Sequence, residues 1–90
     1  MWFPHAVKKT RLSIERNITG RRIRAARLKA KPPISQDDLA GRLAVRGIIM
    51  DQTAISRIES QQRYLMDYEV AAIARSLKVP VAWLYGEAKK

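Results

Sequence analysis

Twice in this chain an apolar residue, a capping side chain and a second apolar residue four positions past the cap follow in order: Ile34, Ser35 and Leu39, then Met50, Asp51 and Ile55. A Ser or Asp at a helix start accepts a hydrogen bond from a backbone N–H that has no partner within the helix. The apolar residues on either side of the cap close over the first turn as a staple. Asp38, three residues after Ser35, adds a capping box to the earlier start. Gly47 lies between the two starts as a natural helix stop. A chain so punctuated is constrained to two short helices in succession, joined by a small connector.

The flanking sequence is helical as well. Asn17 is expected to cap a first helix running to about Ala30, ended by Lys31-Pro32-Pro33 because the residue before a proline avoids the helical region. Gly20, Ile23, Ala26, Arg27 and Ala30 share one face of it, and such small residues predict close approach of another helix. Leu39, Ala40 and Leu43 form the inner face of a second helix that reaches to near Arg46. Ile48-Ile49-Met50 is expected to tuck under the domain. In the third helix, about 51–62, Ile55, Ile58 and Glu59 turn inward while Gln52, Thr53, Ser56 and Arg57 point elsewhere. Val70, Ile73, Ala74 and Leu77 make the core stripe of a fourth helix over Asp67 to Leu77. Pro80 opens a short fifth, Val81 to Tyr85, closed by Gly86. No strand pattern competes, so the fold class is all-α: one five-helix domain over 17–90, preceded by a basic and aromatic arm over 1–16.

Charge narrows the partners. The 90 residues hold 18 Lys and Arg against 8 Asp and Glu, a net of +10. The excess is lopsided, because residues 1–33 carry ten basic side chains and a single acid, Glu15. Such a balance implies a polyanion, with nucleic acid ahead of an anionic membrane. The membrane reading would use Arg21 to Lys31 as an interfacial helix, but its apolar face is mostly alanine with Ile23 and Leu28, too thin to insert well. Nothing in the sequence reads as a membrane span or signal peptide. Absence of cysteine removes disulfides and thiolate metal sites and fits a reducing cytoplasm. His5 is the sole histidine, and no nucleophile–base pair, phosphate-cradling glycine loop or metal-ligand spacing is present, so neither enzyme activity nor a cofactor is expected.

The runs Gly20-Arg21-Arg22-Ile23-Arg24-Ala25-Ala26-Arg27, Ser35-Gln36-Asp37-Asp38-Leu39-Ala40 and Ala54-Ile55-Ser56-Arg57-Ile58-Glu59 closely resemble the Cro/C1-type (lambda repressor-like, XRE) helix-turn-helix family. Ile73 to Val79 and Ala82 to Gly86 resemble its fourth and fifth helices. The resemblance spans about residues 17–86, and its weight lies in five motifs in order. Three departures stand out. Helix two and its turn are extended, the join over Lys29 to Pro33 is longer, and Ser60-Gln61-Gln62 stands where the family places a glycine.

The resemblance implies a sequence-specific regulator of transcription, most simply a repressor, that binds double-stranded DNA as a homodimer. Gln52, Thr53, Ser56 and Arg57 are then the base-reading face. Gln36, at a helix N-terminus that already favours anions, and Arg63 are the implied phosphate contacts, flanked by Arg21, Arg22 and Arg24. Arg27 and Glu59 resemble the family's salt bridge between helices one and three, and Trp83, Leu84 and Tyr85 its pairing surface. Lys8, Lys9 and Arg11 are either a minor-groove arm or a solvated tail. The alternative is an antitoxin-like adaptor of the same fold whose main partner is a protein, docked through Trp2 and Phe3.

Overall fold

The computed structural model describes residues 15–87, so the expectations for Trp2, Phe3, His5, Lys8, Lys9 and Arg11 lie outside the described residues. Five helices follow in order: α1 Gly20–Lys29, α2 Gln36–Val45, α3 Gln52–Glu59, α4 Asp67–Leu77 and α5 Val81–Leu84. No strand occurs among the described residues. No helix among them is long and apolar enough to cross a membrane.

The local signals place the starts of α2 and α3. Ser35 Oγ accepts from the Asp38 N–H at 2.9 Å, and the Asp38 carboxylate accepts from the Ser35 N–H at 3.3 Å. Asp51 Oδ1 accepts from the Ala54 N–H at 2.8 Å. The staple residues Ile34, Leu39, Met50 and Ile55 are all buried. Helix α2 stops at Arg46, and Gly47 takes φ +85°, a left-handed conformation that costs a glycine little. In the connector Met50 is buried and Ile48 packs partly on the core, but Ile49 is 83% exposed. The expected tucking fails at Ile49, which faces solvent while its neighbours Ile48 and Met50 turn to the core.

The first helix begins later than Asn17. Thr19 is its N-cap residue, while Asn17 Oδ1 accepts from the N–H groups of Thr19 at 3.2 Å and Gly20 at 2.7 Å. The Asn17 amide donates to the Ile58 and Arg63 carbonyls at 3.0 and 2.9 Å, so its side chain ties the start of α1 to the end of α3. Gly20 sits at the same junction, where a Cβ would overlap the Ile58 carbonyl oxygen. The small residue predicted for close approach therefore permits backbone-to-backbone contact. Ala30 is only half-buried and lies past the end of the helix.

The third helix is shorter than 51–62. It ends at Glu59 because Gln61 adopts φ +66°, letting Gln61 N–H donate to the Ile58 carbonyl and Gln62 N–H to the Arg57 carbonyl. Gln61 thus fills the left-handed position expected of a glycine. Its side chain compensates by donating to the Asn17 carbonyl at 3.2 Å and accepting from Arg21 Nε at 3.3 Å. Helix α4 has the predicted bounds and a buried Val70, Ile73, Ala74 and Leu77 stripe. Helix α5 ends one residue early, with Tyr85 as its C-cap.

Ile23 from α1, Leu39 and Leu43 from α2, Ile55 and Ile58 from α3, Ile73 from α4 and Leu84 from α5 are essentially inaccessible to solvent. Helix α1 packs on α3, α4 and α5, and α2 lies between α3 and α4. Ile23 and Ala26 of α1 belong to this core, whereas Leu28 is left 45% exposed.

Candidate nucleic-acid interface

At about 100° per residue, Gln52, Thr53, Ser56 and Arg57 fall on one side of α3, opposite Ala54, Ile55, Ile58 and Glu59. All four polar residues are exposed, whereas Ile55, Ile58 and Glu59 are buried and Ala54 half-buried. The helix is packed through its inner face and offers hydrogen-bonding groups on the outer one. Among the described residues no carboxylate pairs with Arg57 or Arg24.

A chain of polar contacts fastens this helix. Arg27 Nε donates to Glu59 Oε2 and Arg27 Nη2 to Glu59 Oε1, each at 2.8 Å, in a bidentate pair whose side chains are 9% and 4% exposed. The Glu59 hydrogen bond raises the Arg27 pKa above its ordinary value, against the opposing effect of burial. Arg27 Nη1 also donates to the Ile34 carbonyl at 3.0 Å, anchoring the segment before α2. Gln36 Nε2 donates to Glu59 Oε1 at 3.1 Å, and Gln52 Nε2 donates to Gln36 Oε1 at 3.0 Å. The network therefore runs from α1 through α3 and α2 and back to the exposed face of α3.

The hydrogen bonds at Gln36 and Gln52 leave capacity for a ligand. Each amide nitrogen carries two hydrogens, and in both residues only one is engaged. Gln52 Oε1 has no partner among the described residues, so the residue retains one acceptor and one donor for a base edge. Gln36, at the first position of α2, keeps one amide hydrogen beside the free backbone N–H groups of that helix start. Asp37 and Asp38 share the first turn, so an anion is favoured only on the Gln36 side.

The basic residues separate into distinct environments. Arg24 lies on the flank of α1 that carries Gly20 and Arg27 and faces α3, and Arg21 reaches Gln61 at the end of α3. Arg22 turns to the other flank and stacks over the Trp83 ring at 4.9 Å from its centre. The expected group of three arginines is thus divided, because adjacent residues on a helix diverge by about 100°. Arg63 is partly buried and donates to Glu69 at 3.5 Å and the Tyr64 carbonyl at 3.3 Å. Its charge is shared with a carboxylate that also accepts the Met66 N–H at 2.9 Å.

The expected pairing surface needs revision. Leu84 is completely buried and Trp83 nearly so, both in the core of a single chain, leaving only Tyr85 of the three at 41% exposure. A four-residue helix has to bury its apolar residues to stay attached, which draws Trp83 and Leu84 inward. Sequence reasoning also passed over the bridging roles of Asn17 and Gln61, for which the residues themselves gave no sign beyond turn preference. Compared with protein-family models, curated proteins and solved structures, the chain matches none of them.

Proposed function

We propose that this protein is a sequence-specific double-stranded DNA-binding regulator of the lambda repressor-like, helix-turn-helix type, with α3 as its recognition helix. The observation that carries the reading is the α3 geometry: four outward polar side chains on a helix whose inner face is locked through Glu59, Gln36 and Arg27. Base readout needs side chains presented from a rigid element, because each base pair is recognised by donors and acceptors at fixed positions in the groove. Gln52 suits adenine, Arg57 suits guanine, and the Thr53 methyl suits a thymine methyl. Gln36 and Arg24 are the first candidates for phosphate contacts, with Arg21 and Arg63 behind them and Arg22 last because of its stacking on Trp83.

The protein acts as a homodimer on an inverted repeat, represses by occupying its operator, and uses Tyr85 with the half-exposed Val81 beside it for pairing. The test is selection from randomised duplex DNA at near-physiological salt. An inverted repeat with half-sites about one helical turn apart is the expected product. The combined Arg57→Ala and Gln52→Ala variant loses the preference among sequences while retaining salt-sensitive affinity. Enrichment of no motif, or a motif unchanged in that variant, overturns the reading.

A further inference from the structure

A second cationic surface lies away from α3, where the C-terminal ends of α2 and α4 meet. Arg42, Arg46, Arg75 and Lys78 line a groove of about 630 Å³ there, with Val45 and Ser76 between them. Arg42 Nη1 donates to the Ser76 carbonyl at 3.1 Å and Arg46 Nε to Ser76 Oγ at 3.2 Å. Two like charges are thus held against one buried serine instead of spreading into water. Each guanidinium spends one of its five N–H groups in these contacts and keeps the rest. None of the four cations has a carboxylate partner among the described residues. The two helix C-termini contribute roughly half a negative charge each, about one in all, against four positive charges. A substantial positive excess remains.

The groove does not share a side with the recognition helix. Along α2, Gln36 lies on one flank of the Leu39–Leu43 stripe and touches α3, while Arg42 and Arg46 lie on the other and touch α4. Gln36 and Arg46 are also separated along the axis by roughly 15 Å, at 1.5 Å per residue. The lining is mixed in character. Val45 is 88% exposed at the rim. An adjoining hollow of about 430 Å³ shares Arg46 and Arg75 and adds Ile48, Tyr68 and Ala72. A duplex backbone offers phosphates and no apolar groups to such a surface. An acidic peptide segment with interspersed apolar side chains matches both parts of it.

We propose that the groove between the C-terminal ends of α2 and α4 is a docking site for an acidic, apolar-bearing segment of a partner protein. Its carboxylates pair with Arg42, Arg46, Arg75 and Lys78, and its apolar side chains rest on Val45, Ile48 and Tyr68. Because the groove is remote from α3, the segment binds while α3 is occupied.

Three fluorescein-labelled peptides of equal length test this by anisotropy: one of Asp and Glu interspersed with Leu and Phe, one with its acids changed to Asn and Gln, and one with its apolar residues changed to Ser. The first is expected to bind the wild-type protein, and each of the other two to bind about tenfold more weakly or worse. The combined Arg46→Glu and Arg75→Glu variant, both positions exposed, weakens the first peptide by about tenfold or more, with circular dichroism confirming that the variant is folded. Arg57→Ala leaves peptide binding unchanged. Failure of the first peptide to bind overturns the proposal, as does equal binding of the apolar-free peptide. A loss in the double variant that falls mainly on duplex DNA also overturns it and makes the groove part of the nucleic-acid surface. Peptide binding without DNA binding would sink the regulator reading and leave this site standing.

Discussion

At the scale of single residues, the junction of α1 with α3 is tightly specified. Gly20 meets the backbone of Ile58 and Glu59, with Asn17 beside it. Alanine at position 20 gains at most about 1 kcal/mol of helix propensity. Overpacking against a carbonyl that cannot rotate away costs about 1–3 kcal/mol. Gly20→Ala is therefore expected to lower the midpoint of urea denaturation, and an unchanged or raised midpoint would refute the close approach. The need for a small residue at this face was legible from its spacing with Ile23 and Ala26. The second role of Asn17 was not, because its acceptors lie 41 and 46 residues away.

At the scale of elements, the helix ends carry more information than the helix bodies. Helix α4 terminates with Lys78 in the left-handed region at φ +60°, where a side chain is strained and a glycine is not. Lys78→Gly is expected to stabilise the protein by about 0.5–1 kcal/mol, after allowing for the greater freedom of glycine in the unfolded chain. A raised thermal midpoint checks it, and a lowered one would mean that Lys78 makes contacts that outweigh the strain. Gln61, at the end of α3, is also left-handed, but there the same exchange would forfeit bonds to Asn17 and Arg21. That difference explains how α3 ends without the glycine its sequence context led one to expect.

At the scale of the whole molecule, the Arg27–Glu59 pair links α1, α3 and the start of α2 with two well-aligned hydrogen bonds and a carbonyl contact. Arg27→Ala leaves the Glu59 charge buried with Gln36 as its one remaining side-chain partner among the described residues, at a cost of about 3–5 kcal/mol. A domain of this size has about 5–13 kcal/mol in total, so the variant should melt far lower or fail to fold. Equal melting of variant and wild type would reduce the pair to a surface contact. The folded-state pKa of Arg27 is raised, so its contribution persists below the ordinary arginine pKa and disappears only as strong alkali removes the proton. Stability measured across the neutral range should show no step from this group.

Local chemistry determined the starts of α2 to α5 and their inward faces, though not the start of α1, which falls at Thr19 and not at Asn17. A Ser or Asp cap, a staple pair, a proline or a 3.6-residue stripe acts within one turn, so Ser35, Asp51, Pro80 and the α4 stripe read correctly from the residues alone. Charge number was equally plain. Charge placement was decided by the tertiary structure, which put Arg22 on Trp83, Arg63 beside Glu69, and Arg42 and Arg46 against Ser76. It also joined Gln36 to Gln52 and drew Trp83 and Leu84 into the core. These outcomes depend on which helix surfaces are brought together across the domain, and no pattern confined to neighbouring residues encodes that.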